Sequence, residues 1–164
     1  MSTSCVRTTT AAERAHGIHV VSSTAYHRKH GIDYDMTPSI SNSFPQSAPG
    51  QLAAIAYLFG LAPPDVPSAR LLEISCAAGG NLSSYAAAHP QARVVGIDLS
   101  QVQIDQGRAR TRALGLDNVD LIAGDIARMD PVGLGQFDFV IAHGVHSWVP
   151  AECRKRSCRP FAGC

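Results

Sequence analysis

The sequence predicts an α/β fold wound on both faces of a parallel sheet of about four strands. From Arg70 onward, short and nearly continuous apolar runs alternate with longer segments of helical character. The first run breaks into a turn of small residues, "SCAAGG", that opens directly into a helix. An acidic residue stands at the end of each of the first three runs: Glu73, Asp98 and Asp125.

Residues 1–33 are rich in Ser, Thr, Ala and His without a sustained period, and are read as a flexible arm. Its "HGIH" and "HRKH" pairs have no carboxylate or cysteine to complete a ligand set, so no metal site is assigned. The domain proper spans 34–150 and begins with a loop punctuated by Pro and Ser from Met36 to Gly50. In "QLAAIAYLFGL", Leu52, Ile55, Ala56 and Phe59 recur at helical spacing; Gly60 closes that helix and Pro63-Pro64 prevents its continuation. The first strand is Arg70 to Ile74, and a helix follows from about Gly80 to Ala88, ended by His89-Pro90. The second strand, "ARVVGID", closes at Asp98. Ser100 with Gln103 forms a capping box for a helix that runs to Leu114, with Gly115 as its left-handed closing residue. The third strand is about Val119 to Ala123, the turn "GDIARMDP" follows, and "FDFVIAH" is the fourth. Right-handed crossovers then place helices on both faces.

A chain of 164 residues suits one domain with a real core. A formal net charge of +1 points to neither nucleic acid nor a membrane surface as a partner. No apolar run approaches the length of a membrane span, and the first residues lack the apolar segment of a secretory signal. The expectation is a cytoplasmic protein whose five cysteines are free thiols.

In a parallel sheet, ligands sit beyond the carboxyl ends of the strands, where the turn Ser75 to Gly80 falls. Its amides, at a helix N-terminus, suit an anionic group. A dinucleotide brings a pyrophosphate and calls for glycines in a G-x-G-x-x-G spacing. S-adenosylmethionine brings no phosphate; it carries an ammonium, a sulfonium and one carboxylate. Glu73 separates the two, because a carboxylate repels a pyrophosphate and attracts the positive methionine end. Asp98, 25 positions later, is placed to accept from ribose hydroxyls, and Asp125 from the adenine amino group. The expected glycine positions hold Ser75 and Ala77, which cost energy where φ must be positive or a ligand touches Cβ. Gly79 and Gly80 remain at the helix start, and Cys76 is read as a buried, inert thiol.

"LLEISCAAGGN", "VVGIDLS", "AGDIARM" and "FDFVIAHGVHSWVP" resemble the successive motifs of class I S-adenosylmethionine-dependent methyltransferases. More narrowly, "SFPQSAPGQLAAIAYLFGL" with "ISCAAGGNL" and "IAHGVHSWVP" resembles bacterial methyltransferases that carry a methyltransferase regulatory domain. The resemblance runs from about Tyr34 to Glu152 and implies a Rossmann-like fold. It places Glu73, Ser75, Gly79, Asp98, Leu99, Asp125, Ile126 and His143 on cofactor-lining positions, with Ala77 beside them in the loop. The family pattern has glycine at position 75, so Ser75 is a departure that weighs on affinity.

Methyl transfer from a sulfonium is an in-line displacement, and a base is needed only for a protonated acceptor. His143 and His146 follow the fourth strand and are the candidate catalytic residues; His143 is read as base or cofactor wall. Trp148 is a candidate for packing or for a pocket wall, and Tyr34 and Phe44 for covering the cofactor. Nothing identifies the acceptor. The alternatives to a methyltransferase are a nicotinamide-dinucleotide oxidoreductase and a non-catalytic remnant that binds S-adenosylmethionine.

Residues 151–164, "AECRKRSCRPFAGC", carry no apolar period and are read as an aberrant tail. Cys153, Cys158 and Cys164 match no common zinc spacing, so no metal site is assigned. Codons for "RSCRPFAGC" exist that, shifted by one base, spell Ala-Leu-Leu-Pro-Ala-Phe-Arg-Arg-Met-Leu, an amphipathic continuation; a frameshifted, truncated gene is the preferred account. The resemblance implies about three more strands than the chain has, and hence only the N-terminal half of the fold. Phe137, Phe139, Val140 and Ile141 are then expected on an unpaired edge, one face lacks helical cover, and the chain self-associates through strand four with reduced or no activity.

Overall fold

A computed structural model of the chain describes residues 35–36, 39–126, 129 and 131–143. Four parallel strands form the sheet: β1 (Arg70–Ile74), β2 (Arg93–Asp98), β3 (Val119–Ala123) and β4 (Phe139–Ile141). Their order is β3-β2-β1-β4. The chain therefore steps outward from β1 to β3 and returns to the other side of β1. That reversal creates a crevice at the carboxyl ends of β1 and β4, the ligand-binding position of open α/β sheets.

Period-two alternation divides the strands between two cores. Leu71, Val94, Leu121, Phe139 and Ile141 face Ala53, Leu82, Tyr85, Ala86 and Ile104. Those partners lie on α1 (Pro49–Leu58), α2 (Gly80–Ala88) and α3 (Gln101–Ala113). On the opposite face Leu72, Ile74, Val95 and Ile97 pack with Met129 and with Leu134 of a short α4 (Pro131–Leu134). Strand registers put Glu73 between Gly96 of β2 and Ile141 of β4, on the α2 side of the sheet. A Cβ at Gly96 would stand 2.6 Å from Leu82 Cδ1 and 2.7 Å from Cys76 Sγ, so the missing side chain lets α2 and the loop settle onto the strand.

The expected bounds of β1, α2 and β3 coincide with the structure. Gly60 and Gly115 close α1 and α3 at φ +75° and +67°, with Leu61 N donating to Ala56 O and Leu116 N to Thr111 O. Four expectations change. The first concerns the stripe of α1: Phe59 is 80% exposed and Ile55 41%, and Pro49 and Ala53 are its buried residues. The helix seats by its first turns against the 3-10 turns Pro45–Ser47 and Val66–Ser68, and its second half runs past the core. The second is half of the capping box: Ser100 Oγ accepts from Gln103 N, but Gln103 Nε2 donates to Ser39 O because Asp98 already takes the Ser100 amide. Third, the second face of the sheet is covered around β1 and β2, where Met129 and Leu134 bury Leu72 and Ile97. Fourth, β4 has three residues, with Phe139 and Ile141 buried and Val140 exposed, while Phe137 packs against the second core. Among the described residues β4 pairs with β1 on one side and forms a sheet edge on the other. The arm 1–33, Tyr34, His146, Trp148, the three tail cysteines and segment 151–164 lie outside the described residues.

Candidate cofactor site

The loop between β1 and α2 is tightly wound. Ser75 and Ala77 take φ 58° and 53°, and Gly79 takes φ 67°. The steric condition that makes non-glycine residues costly is therefore met at both substituted positions, at about 1–2 kcal/mol each. Four hydrogen bonds hold the turn: Cys76 N to Ile97 O (3.1 Å), Gly79 N to Cys76 O (2.8 Å), Ala77 N to Asp98 Oδ2 (2.8 Å) and Arg110 Nη2 to Ala78 O (2.8 Å). Ser75 is exposed, whereas Cys76 and Ala77 are buried. Burial, with Asp98 and Glu73 nearby, pushes the Cys76 thiol well above its usual range, so it is the inert thiol expected.

Glu73 is 4% exposed. Its Oε1 accepts from Asn81 Nδ2 at 3.0 Å, and its Oε2 is buried with no hydrogen-bond partner. Desolvation raises its pKa from 4.5 to about 7, opposed by the Asn81 hydrogen bond. Asp98, 9% exposed, accepts from Ala77 N through Oδ2 and from Ser100 N through Oδ1 (2.9 Å). Burial raises its pKa too, against the backbone hydrogen bonds, and the Asp35 charge adds to the rise. Asp98 is thus a clamp on the loop as well as a candidate ribose acceptor, with the Leu99 backbone as a further hydrogen-bond partner of its carboxylate. Neither acid forms a salt bridge with a described residue; the ion pair in this part of the chain is Arg108–Asp105 on α3.

The remaining expected site residues ring the same strand ends. Asp125 and Ile126 follow β3 and are half-buried, as is Leu99; Ile126 packs on the second core. Gly124 N donates to Asp98 O, tying the end of β3 to the end of β2. His143, two residues beyond β4, is exposed with its ring 4.3 Å from the Phe44 ring. No group of metal ligands occurs among the described residues, and no described helix is long and apolar enough to cross a membrane.

Sequence reasoning missed the residues that carry the N-terminal segment onto the site. Ser41 Oγ accepts from Gly80 N at 2.8 Å, and a Cβ on Gly80 would lie 2.5 Å from Ser41 O. Asp35 Oδ1 accepts from Ser100 Oγ (2.6 Å) and from Val102 N (3.3 Å). Asn81 accepts from Phe44 N (3.0 Å) and donates to Ser47 Oγ (3.3 Å) as well as to Glu73. The first turns of α2 and α3 are thereby partnered by residues remote in sequence, and no local pattern reveals them. A cavity of about 230 Å³ flanks the site, lined by Ser43, Asn81, Leu82, Tyr85, His89 and Ile141 among others.

Residues 71–162 match the family described as "Methyltransferase domain". A solved structure of PKMT2 from Rickettsia typhi in complex with AdoHcy is similar, with 36% identity and a TM-score of 0.69 over 73% of this chain and 23% of that one. The protein RP789 of Rickettsia prowazekii is 43% identical over 123 residues, 75% of this chain and 22% of that protein. RP028 of the same organism is 37% identical over 125 residues, 76% of this chain and 50% of the relative. The fold and the family match together define a class I S-adenosylmethionine-dependent methyltransferase domain. The chain belongs to that family and spans between about a fifth and a half of the length of these relatives.

Restoring glycine at position 75 relieves the left-handed strain, partly offset by the freer unfolded chain. Ser75→Gly is expected to stabilise the domain by roughly 0.5–1 kcal/mol in urea unfolding; a loss of stability would contradict the strain. Glu73 yields a signed pH dependence. Its folded pKa is raised, so its contribution is fully present below 4.5 and is lost as pH climbs through about 7. Glu73→Gln is expected to gain on the parent by about 3 kcal/mol between those limits, and parallel stability profiles would contradict the burial.

Proposed function

We propose that the domain binds S-adenosylmethionine at the carboxyl ends of β1 and β2 and presents its methyl group to an acceptor. The unpartnered, buried Oε2 of Glu73 carries the reading. A carboxyl oxygen desolvated without a partner is costly, and a cation placed against it restores the lost interaction. Among the described residues no cationic side chain forms a salt bridge with Glu73 or Asp98, and a cationic ligand would supply the positive charge. An ammonium or sulfonium supplies it; a pyrophosphate brings the opposite sign, which disfavours the dinucleotide alternative. The AdoHcy-bound PKMT2 structure supports the same assignment.

Each residue has a role within this proposal. Glu73 holds the methionine ammonium, Asp98 accepts from the ribose hydroxyls, and Asp125 accepts from the adenine amino group. Ser75, Ala77 and Gly79 shape the floor, with Leu99 and Ile126 beside the adenine. The cofactor supplies an electrophilic methyl group on sulfur. The protein holds that group in line with the acceptor, a positioning task rather than a covalent one. His143, exposed beyond β4 and set against Phe44, is the described candidate for a wall or a base; His146 is proposed as a second on sequence grounds alone. The reading assigns no acceptor: the chain spans only 22% of the length of RP789 and 23% of that of PKMT2.

Calorimetric titration tests the reading. S-adenosylhomocysteine is expected to bind and NAD not to; binding of NAD alone would overturn it. Asp98→Ala, which removes both the clamp and the ribose acceptor, is expected to weaken binding by about 100-fold, equivalent to roughly 3 kcal/mol. We further propose self-association through the β4 edge, where Val140 is 38% exposed. Light scattering is expected to show a larger species that Val140→Lys reduces; a monomeric parent would contradict this.

A further inference from the structure

The side chain of Asn81 occupies the junction between the buried carboxylate and the segment that lies over the loop. Its Nδ2 donates to Glu73 Oε1 and to Ser47 Oγ, while its Oδ1 accepts from the backbone amide of Phe44. The same segment reaches Gly80 N through Ser41 Oγ and reaches His143 through the Phe44 ring. Asn81 is the described residue that bonds to Glu73 and to this segment at once.

We propose that Asn81 is a positioning residue that couples Glu73 to the segment Ser41 to Ser47, so that the segment seats over the loop when Glu73 is ionised or holds a cation. The inference rests on the cofactor reading for its ligand half and is independent of it for its ionisation half. The coupling is electrostatic. A hydrogen bond from an amide to a carboxylate is stronger than one to a neutral carboxyl group. Ionisation of Glu73 therefore fixes the Asn81 amide more firmly, and a fixed Oδ1 is a better acceptor for Phe44 N. Groups around Glu73 are few. Gly96 and Ile141 flank it on the sheet, the Cys76 thiol lies in the loop and stays protonated, and Asp98 stands at the end of the neighbouring strand. His143 faces the segment through Phe44, so a His143→Gln background serves to separate its contribution.

Amide hydrogen exchange at Phe44, corrected for intrinsic rates, tests the coupling in the ligand-free chain between pH 5.5 and 8.5. Protection is expected to rise three- to tenfold through about pH 7 in the parent and in His143→Gln, the scale of one charge-assisted hydrogen bond. Glu73→Gln is expected to show no such rise. Asn81→Ala is expected to lose the protection and, by carboxyl carbon NMR, to move the Glu73 midpoint upward, which a merely structural role would not do. Asn81→Asp keeps an acceptor for Phe44 N but sets a second carboxyl group against Glu73, so the two are expected to share a proton and the rise to move to higher pH. Flat protection in the parent, or an unmoved Glu73 midpoint in Asn81→Ala, would overturn the proposal. Saturating S-adenosylhomocysteine is expected to raise Phe44 protection at pH 6 in the parent and not in Asn81→Ala. Bound ligand with no change at Phe44 would overturn the ligand half. Failure of the parent to bind would instead count against the cofactor reading, leaving the pH series to decide the role of Asn81.

Discussion

Glu73 lies on β1 between Gly96 and Ile141, with one oxygen bonded to Asn81 and the other bonded to nothing. Keeping a carboxyl group there constrains much of its surroundings. Gly96 leaves no side chain beside it, so α2 approaches closely enough for its first turn to deliver Asn81. Burial opposes ionisation and raises the pKa to about 7, so the group is poised between its two forms at neutral pH. A buried acid that only stabilised the fold would have its second oxygen satisfied. One left open at the mouth of a parallel sheet is better understood as half of an interaction that a cation completes.

The loop beside it shows how a family turn survives the loss of its glycines. Ser75 and Ala77 occupy left-handed backbone, which disfavours any side chain. Asp98 opposes that cost by accepting the Ala77 amide at 2.8 Å, a charge-assisted hydrogen bond of about 1.5–3 kcal/mol when the acid is ionised. The same carboxylate also takes the Ser100 amide, which displaces Gln103 from its capping role and frees it to hold Ser39. One side chain therefore links the strained loop to the start of α3, and Gln103 carries that link on to the N-terminal segment. Its double use means that Asp98 substitutions report on loop geometry and on ribose recognition together.

The sheet, its order of elements and the three acids were legible because strands and turns declare themselves locally. Apolar runs gave β1 and β3, His89-Pro90 gave the end of α2, and Gly115 gave the end of α3. What escaped was set by contacts distant in sequence. Asn81 reads as an ordinary polar residue in a first helical turn until Phe44 and Ser47, 37 and 34 positions away, arrive beside it. Spacing alone made Ile55 and Phe59 look like core, yet α1 packs through Pro49 and Ala53. The cost at Ser75 and Ala77 depends on φ, which composition does not reveal; the structure supplies the positive values.

Cofactor binding at this site requires that Glu73 give up its proton when a cation arrives. Calorimetry of S-adenosylhomocysteine binding at pH 6, repeated in buffers of different ionisation enthalpy, measures that proton directly. A group with a pKa of about 7 in the free protein is mostly protonated at pH 6. The ligand ammonium should therefore drive release of close to one proton in the parent, and of none from this site in Glu73→Gln. Binding by the parent without proton release, or equal release from both proteins, would show that the ligand's positive charge does not rest on Glu73.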